Sequence, residues 1–261
     1  MLKLIEAIFA GRIQTEDIDT VGSKHFRGEL NCNTAKCDRC CACLQICPVF
    51  AITMNDYNRP IINYKRCVFC GKCVEACAGH ALYHSNLEAL PEDLTDGNIE
   101  IGRVINTKPG RSIHVRHLDA GSCNACDFEM AALSNPLYDL HRFGISFVAS
   151  PRHADVVMVT GVVTRNLEKA VNMTYEAMEN PKVVIAVGAC AAGGATYGDT
   201  YAIVGALDKV LPVDIFIPGC PPRPEQIMDG VMKLQELVKS ESVRRRSSPE
   251  YQELLASYNI K

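Results

Sequence analysis

No apolar run in the 261-residue sequence approaches the roughly 18 residues that a membrane-spanning helix requires. The opening Met1-Leu-Lys-Leu-Ile-Glu-Ala-Ile-Phe9 is too short and carries an acid, so it reads as neither a span nor a signal peptide. Charge of one sign is also missing: 27 Lys and Arg against 30 Asp and Glu leave a net charge of −3. A balance so near neutral disfavours nucleic acid and anionic membrane surfaces as partners. Tryptophan is absent. The expectation is a soluble, cytoplasmic chain of about two domains, at roughly 150 residues per domain.

Against these absences stand fourteen cysteines. A cytosolic chain does not keep that many thiols as disulfides, which makes metal the reason to consider first. Ten of them lie between Cys32 and Cys77, and Cys37, Cys40, Cys43 and Cys47 recur thirty residues later as Cys67, Cys70, Cys73 and Cys77. The flanks repeat too: Cys47-Pro-Val-Phe-Ala-Ile-Thr53 is echoed by Cys77-Ala-Gly-His-Ala-Leu-Tyr83, each a cysteine turn leading into a short extended segment.

The run Cys37-x2-Cys40-x2-Cys43-x3-Cys47-Pro48 lets one tight loop aim three thiolates at a cubic iron-sulfur cluster while the fourth reaches a second cluster. By that logic cluster 1 takes Cys37, Cys40, Cys43 and Cys77, and cluster 2 takes Cys67, Cys70, Cys73 and Cys47. Structural zinc is the alternative, but four-cysteine zinc sites pair two separated Cys-x2-Cys knuckles. This segment resembles the bacterial two-cluster 4Fe-4S ferredoxins over about residues 30–85. Ala78 stands where that family usually has proline, a change expected to loosen the turn slightly. Cys41 aligns with Gly71 through the repeat and Cys32 precedes the motif without a repeat partner, so both read as free thiols.

Residues 87–110 are polar and broken by Pro91, Gly97, Gly102 and Pro109, and read as a linker. Beyond it, strand-length apolar runs (Ser112 to Leu118, Ile145 to Ala149, Asp155 to Thr160, Val183 to Val187, Val213 to Ile217) alternate with helical stretches such as Asn166 to Met178 and Pro224 to Val238. Continuous Val and Ile runs between helices imply a parallel sheet covered on both faces. After Val238 the chain turns polar, and Arg244-Arg245-Arg246 reads as a solvated face. The expected organisation is an N-terminal extension at 1–29, a ferredoxin-like α+β domain at 30–86, the linker, a flavodoxin-like α/β domain at 111–238 and a tail at 239–261.

Cys123, Cys190 and Cys220 each follow a predicted strand, at the sheet edge where open parallel sheets bind ligands, and Cys126 joins Cys123 through the spacing Cys-Asn-Ala-Cys. One site enclosed by the four thiolates of Cys123, Cys126, Cys190 and Cys220 is the expectation; buried hydrophobic thiols would account for one or two of them, not for their shared glycine-containing turns.

Those turns carry a second resemblance. Gly121-Ser-Cys-Asn-Ala-Cys-Asp-Phe-Glu129, Ser150-Pro-Arg-His-Ala-Asp155, Thr160-Gly-Val-Val-Thr-Arg165, Gly188-Ala-Cys190 and Pro218-Gly-Cys-Pro-Pro-Arg-Pro-Glu225 resemble the proximal-cluster subunit shared by nickel-iron hydrogenases and respiratory complex I, over about residues 112–238. In complex I the first two ligands are adjacent; the Cys-x2-Cys spacing here is the hydrogenase pattern, so the chain resembles the small subunit of energy-converting, formate hydrogenlyase-like hydrogenases. Met1 to Ile5 and Phe26-Arg-Gly-Glu29 resemble the ferredoxin-type subunit of the same complexes, as if two subunits were fused. The paired glycines of Gly188-Ala-Cys-Ala-Ala-Gly-Gly-Ala195 fall differently from the family's.

The resemblance implies three 4Fe-4S clusters, no catalysis by the chain alone, and electron transfer to a nickel-iron centre on a partner large subunit. Other hydrogenase or complex I-like subunits, including membrane subunits, and an electron donor or acceptor protein would complete the assembly at the inner face of the membrane. A module passing electrons to quinone or another acceptor is the alternative. Glu129, three residues after Cys126, is a candidate proton relay or a helix-start carboxylate. Arg165 and Arg223 are read as ordinary salt-bridge residues, with loop orientation or partner contact as the alternative, and His114, His117, His141 and His153 as structural or surface residues.

Overall fold

A computed structural model describes residues 27–85, 112–180, 182–194, 197 and 200–234. The N-terminal extension to residue 26, the linker and the tail with its arginine triplet lie outside the described residues.

The duplication is written in the backbone. Strand β1 (Leu30–Cys32) pairs antiparallel with β4 (Leu82–His84), and β2 (Ile52–Met54) pairs antiparallel with β3 (Pro60–Ile62). Helices α1 (Ala42–Ile46) and α2 (Lys72–Glu75) lie thirty residues apart. Left-handed residues recur at the same offset: Arg39 and Phe69, Cys41 and Gly71, Phe50 and His80. The Ala78 turn closes as its proline-bearing twin does, with the His80 N–H on the Cys77 carbonyl at 2.9 Å and the Phe50 N–H on the Cys47 carbonyl at 3.4 Å. Leu30, Ile52 and Leu82 form a small core with Cys43 and Cys73.

The five apolar runs of the second half form β5 (Ile113–Asp119), β6 (Ile145–Phe147), β7 (Val156–Thr160), β9 (Val183–Val187) and β11 (Ile215–Ile217). All neighbours are parallel, in the order β11-β9-β7-β5-β6. A two-residue strand β8 (Val163–Thr164) pairs with β10 (Ile203–Gly205) outside this sheet. Period-two alternation divides each strand between two cores. Val156 and Met158 face α3 (Ala125–Ala132) and a helix over 224–234, α6; Val157 and Val159 face α4 (Glu168–Ala177) and α5 (Gly188–Gly193). Burial on both faces is why β7, β9 and β11 lack polar alternation, whereas β5 keeps His114, Arg116 and His117 between its apolar residues. The chain after β5 crosses to the edge strand β6 and returns to β7 on the other side of β5. This reversal is the switch point of the flavodoxin-like order, where loops part and a ligand site opens.

The two halves touch. Tyr64 packs against both the small core and the α4–α5 side of the sheet. The Lys65 ammonium sits 3.5 Å from the centroid of the Phe216 ring. A Cβ on Gly193 would meet the Lys65 carbonyl oxygen at 2.6 Å, so glycine there permits the close approach. Gly194, left-handed, ends α5.

Candidate iron-sulfur sites

None of the fourteen cysteines is in a disulfide. Cys37, Cys40, Cys43 and Cys77 line one cavity, with Asp38, Met54 and Leu82 among the other walls. Cys43 is buried on α1, whereas Cys40 is exposed. Cys67, Cys70, Cys73 and Cys47 form a second group: Cys67 is buried, and the thiols that act on it are Cys73, Cys47 and Cys70. Each group brings the first three cysteines of one motif together with the fourth of the other. The fourth cysteine of each is held alike, since the Ala51 N–H donates to Cys47 Sγ and the Ala81 N–H to Cys77 Sγ, each at 3.2 Å.

Cys123, Cys126, Cys190 and Cys220 meet at the carboxyl edge of the large sheet. Cys123 and Cys126 flank the start of α3, Cys190 lies on α5 directly after β9, and Cys220 follows β11 in a loop whose Cys220–Pro221 peptide is cis. The Ala189 N–H donates to the Gly219 carbonyl at 2.7 Å and ties two of these loops together. Gly188, at φ +87°, has no room for a side chain: a Cβ there would lie 2.6 Å from Cys126 Sγ.

Burial, then the neighbouring Cys190, Cys220, Cys123 and Asp127, pushes the Cys126 thiol up to about 12. Burial likewise pushes Cys43 and Cys67 up to about 11. Crowded, desolvated thiols resist ionising, and a bound cation relieves that cost, so the donor chemistry fits an iron-sulfur centre. Among the described residues no three His, Cys, Asp or Glu side chains are grouped as holders of one metal ion.

A polar network braces the third group. Asp127 accepts hydrogen bonds from the Ser122 hydroxyl and from Thr160 Oγ1 at 2.7 Å, and its Oδ1 lies 2.9 Å from His117 Nε2. Burial alone would raise this carboxyl; the Ser122 and Thr160 hydroxyls and the His117 ring bring it below the usual range. Thr160 is fully buried at the end of β7, so the network pins the cysteine loop to the sheet.

Glu129 lies half-buried on α3, raised by burial and by Glu225, with Arg223 opposing. Glu225, 1% exposed, accepts from the Tyr138 hydroxyl and from Arg223 Nη2, both at 3.1 Å. Arg165 Nε donates to the Tyr201 carbonyl at 2.7 Å, joining β8 to the 200–203 loop. His114 is structural, bound through Nδ1 and its backbone N–H to Asp155, while His141 and His153 are exposed.

The sequence reasoning missed the Asp127 network, the buried Glu225 and the place of Cys32. Cys32 lines the first cavity beside Cys37 and Cys77, and burial first, then those two thiols, raises it. The signal was present in the thirty-residue offset, which carries Cys32 onto Ile62 once β1 and β3 are recognised as equivalent strands. Cys32 therefore has a repeat partner, hidden by the change of residue type.

Residues 123–234 match the family described as the NADH ubiquinone oxidoreductase 20 kDa subunit, and residues 60–82 match the 4Fe-4S binding domain. An NADH-quinone oxidoreductase subunit of Flavobacterium psychrophilum is 59% identical over 54% of this chain and 77% of its own length. A probable membrane-bound hydrogenase subunit of Pyrococcus furiosus is 48% identical over 51% of this chain and 81% of its own. Formate hydrogenlyase subunit 7 of Escherichia coli is 43% identical over 46% of this chain and 47% of its own. With a five-stranded parallel sheet whose cysteine-bearing edge falls inside the matched region, and a ferredoxin-like segment ahead of it, the chain belongs to the family of the NADH ubiquinone oxidoreductase 20 kDa subunit, joined here to a 4Fe-4S binding domain.

Proposed function

We propose that the chain is the electron-transfer subunit of a membrane-associated nickel-iron hydrogenase complex and holds three 4Fe-4S clusters. Cys37, Cys40, Cys43 and Cys77 would hold the first, Cys67, Cys70, Cys73 and Cys47 the second, and Cys123, Cys126, Cys190 and Cys220 the third. Each cluster supplies one-electron transfer; the protein contributes ligation, spacing and tuning. The observation that carries the reading is the convergence of four cysteines from three loops on one sheet edge, with Gly188 left bare against Cys126. Packing supports an order for the sites. Cys67 and Cys47 of the second group lie in one apolar cluster with Ala189, the neighbour of Cys190 in the third.

Cys123, Cys220, Phe128 and Tyr201 are exposed on the second half. An exposed cluster edge suits a large subunit that carries the nickel-iron site, with further hydrogenase or complex I-like subunits, membrane subunits among them, and a donor or acceptor protein. Among the described residues no helix is long and apolar enough to cross a membrane. Attachment at the inner membrane face would be peripheral, through those partners.

The Cys-x2-Cys spacing of Cys123 and Cys126 favours the nickel-iron reading. The higher identity to the Flavobacterium NADH-quinone oxidoreductase relative, 59% against 48% and 43% for the two hydrogenase relatives, favours a second: transfer to quinone or another acceptor. Anaerobic purification of the complex separates them. The expected result is about twelve iron per chain, nickel in the partner, and hydrogen-linked activity abolished by Cys220→Ser with two paramagnetic cluster signals retained. A nickel-free partner with quinone reductase activity selects the second reading, and about eight iron per chain rejects three clusters.

A further inference from the structure

The duplication makes this chain its own control. The two ferredoxin-type sites share their loops, their left-handed residues and the N–H···S bonds at Cys47 and Cys77. Among the equivalent places where they differ, β1 ends in Cys32 where β3 ends in Ile62. Cys32 lines the first cavity together with Cys37 and Cys77, and Ile62 packs in the small core with no donor to offer. The other additional thiol on that cavity, Cys41, is engaged elsewhere, its Sγ donating to the Arg39 carbonyl at 3.5 Å. Arg59, just ahead of β3, turns a positive field on Cys32 and keeps its Nε buried without a partner.

We propose that Cys32 is a positioning residue of the first site, a thiol that donates a hydrogen bond to the Cys37 sulfur and thereby raises the reduction potential of the cluster Cys37 helps to hold. Hydrogen bonds to ligand sulfurs draw off electron density and favour the reduced, more negative cluster. A fifth ligand is not needed, since Cys37, Cys40, Cys43 and Cys77 on that cavity already make four. The inference rests on the cluster assignment proposed above. A wild-type chain without the first cluster's signal defeats that assignment before any variant is compared.

The test is a dye-mediated redox titration of the full, cluster-loaded chain, followed by paramagnetic resonance, on wild type, Cys32→Ala, Cys32→Ser and Ile62→Cys. Cys32→Ala should lower the midpoint of the first cluster alone, with iron content unchanged. Cys32→Ser, which keeps a donor, should retain most of the wild-type value. Ile62→Cys should raise the midpoint of the second cluster, a shift that a merely structural Cys32 would not foretell. An unmoved first midpoint in Cys32→Ala overturns the proposal; so does loss of that cluster's signal, which would make Cys32 a ligand. If Cys32→Ala does not accumulate as folded protein, Ile62→Cys decides, and an unmoved second midpoint overturns it.

Discussion

Single side chains decide how firmly the third cysteine group is held. Asp127 binds Ser122, His117 and the buried Thr160 at once, and each partner comes from a different segment. Asp127→Ala should therefore lower stability by about 1–3 kcal/mol, the usual cost of stranding a buried polar group. Urea unfolding should register the loss, together with depletion of the third cluster's signal and retention of the other two. Equal loss of all three signals would show that the network holds the whole fold and not this loop. Legibility at this scale follows sequence distance. Spacing within each ferredoxin-type motif is local and legible directly, whereas Cys190 and Cys220 lie far from Cys126 in sequence and were brought to it only through the predicted sheet edge. The Asp127 contacts to Thr160 and His117, and the pairing of Tyr138 with Glu225, join residues far apart in sequence, and no motif announces them.

Among the elements, β7, β9 and β11 were legible because burial on both faces writes them as unbroken apolar runs. The β8–β10 pair and α5 were not, being too short to show a period. Yet α5 holds Cys190, and its geometry hinges on Gly188. Gly188→Ala would place a methyl 2.6 Å from Cys126 Sγ on a left-handed residue. The expected outcome is loss of about four iron per chain and of the third cluster's signal, with the ferredoxin-type signals intact. Full iron content in that variant would show that the loop can shift without cost.

For the molecule as a whole, the thiols set a dependence on pH. In the cluster-free chain Cys126 rises from the ordinary 9.0 to about 12, and Cys43 and Cys67 to about 11. The folded chain then binds protons more tightly than the unfolded one, so this stability is complete below pH 9 and is lost as pH climbs through 11 and 12. Under reductant, the urea midpoint of the cluster-free chain should fall between about pH 8 and about pH 10. With clusters loaded the ligated thiolates take up no protons, and the difference between the two preparations isolates their contribution. An identical pH slope in both would contradict it. Tyr64, shared by the small core and the sheet's, has a consequence of another kind. A side chain belonging to two cores couples their melting. In separate subunits the same juncture would come apart on dilution; on one polypeptide the neighbouring sites keep a fixed stoichiometry and a local concentration that no dilution lowers.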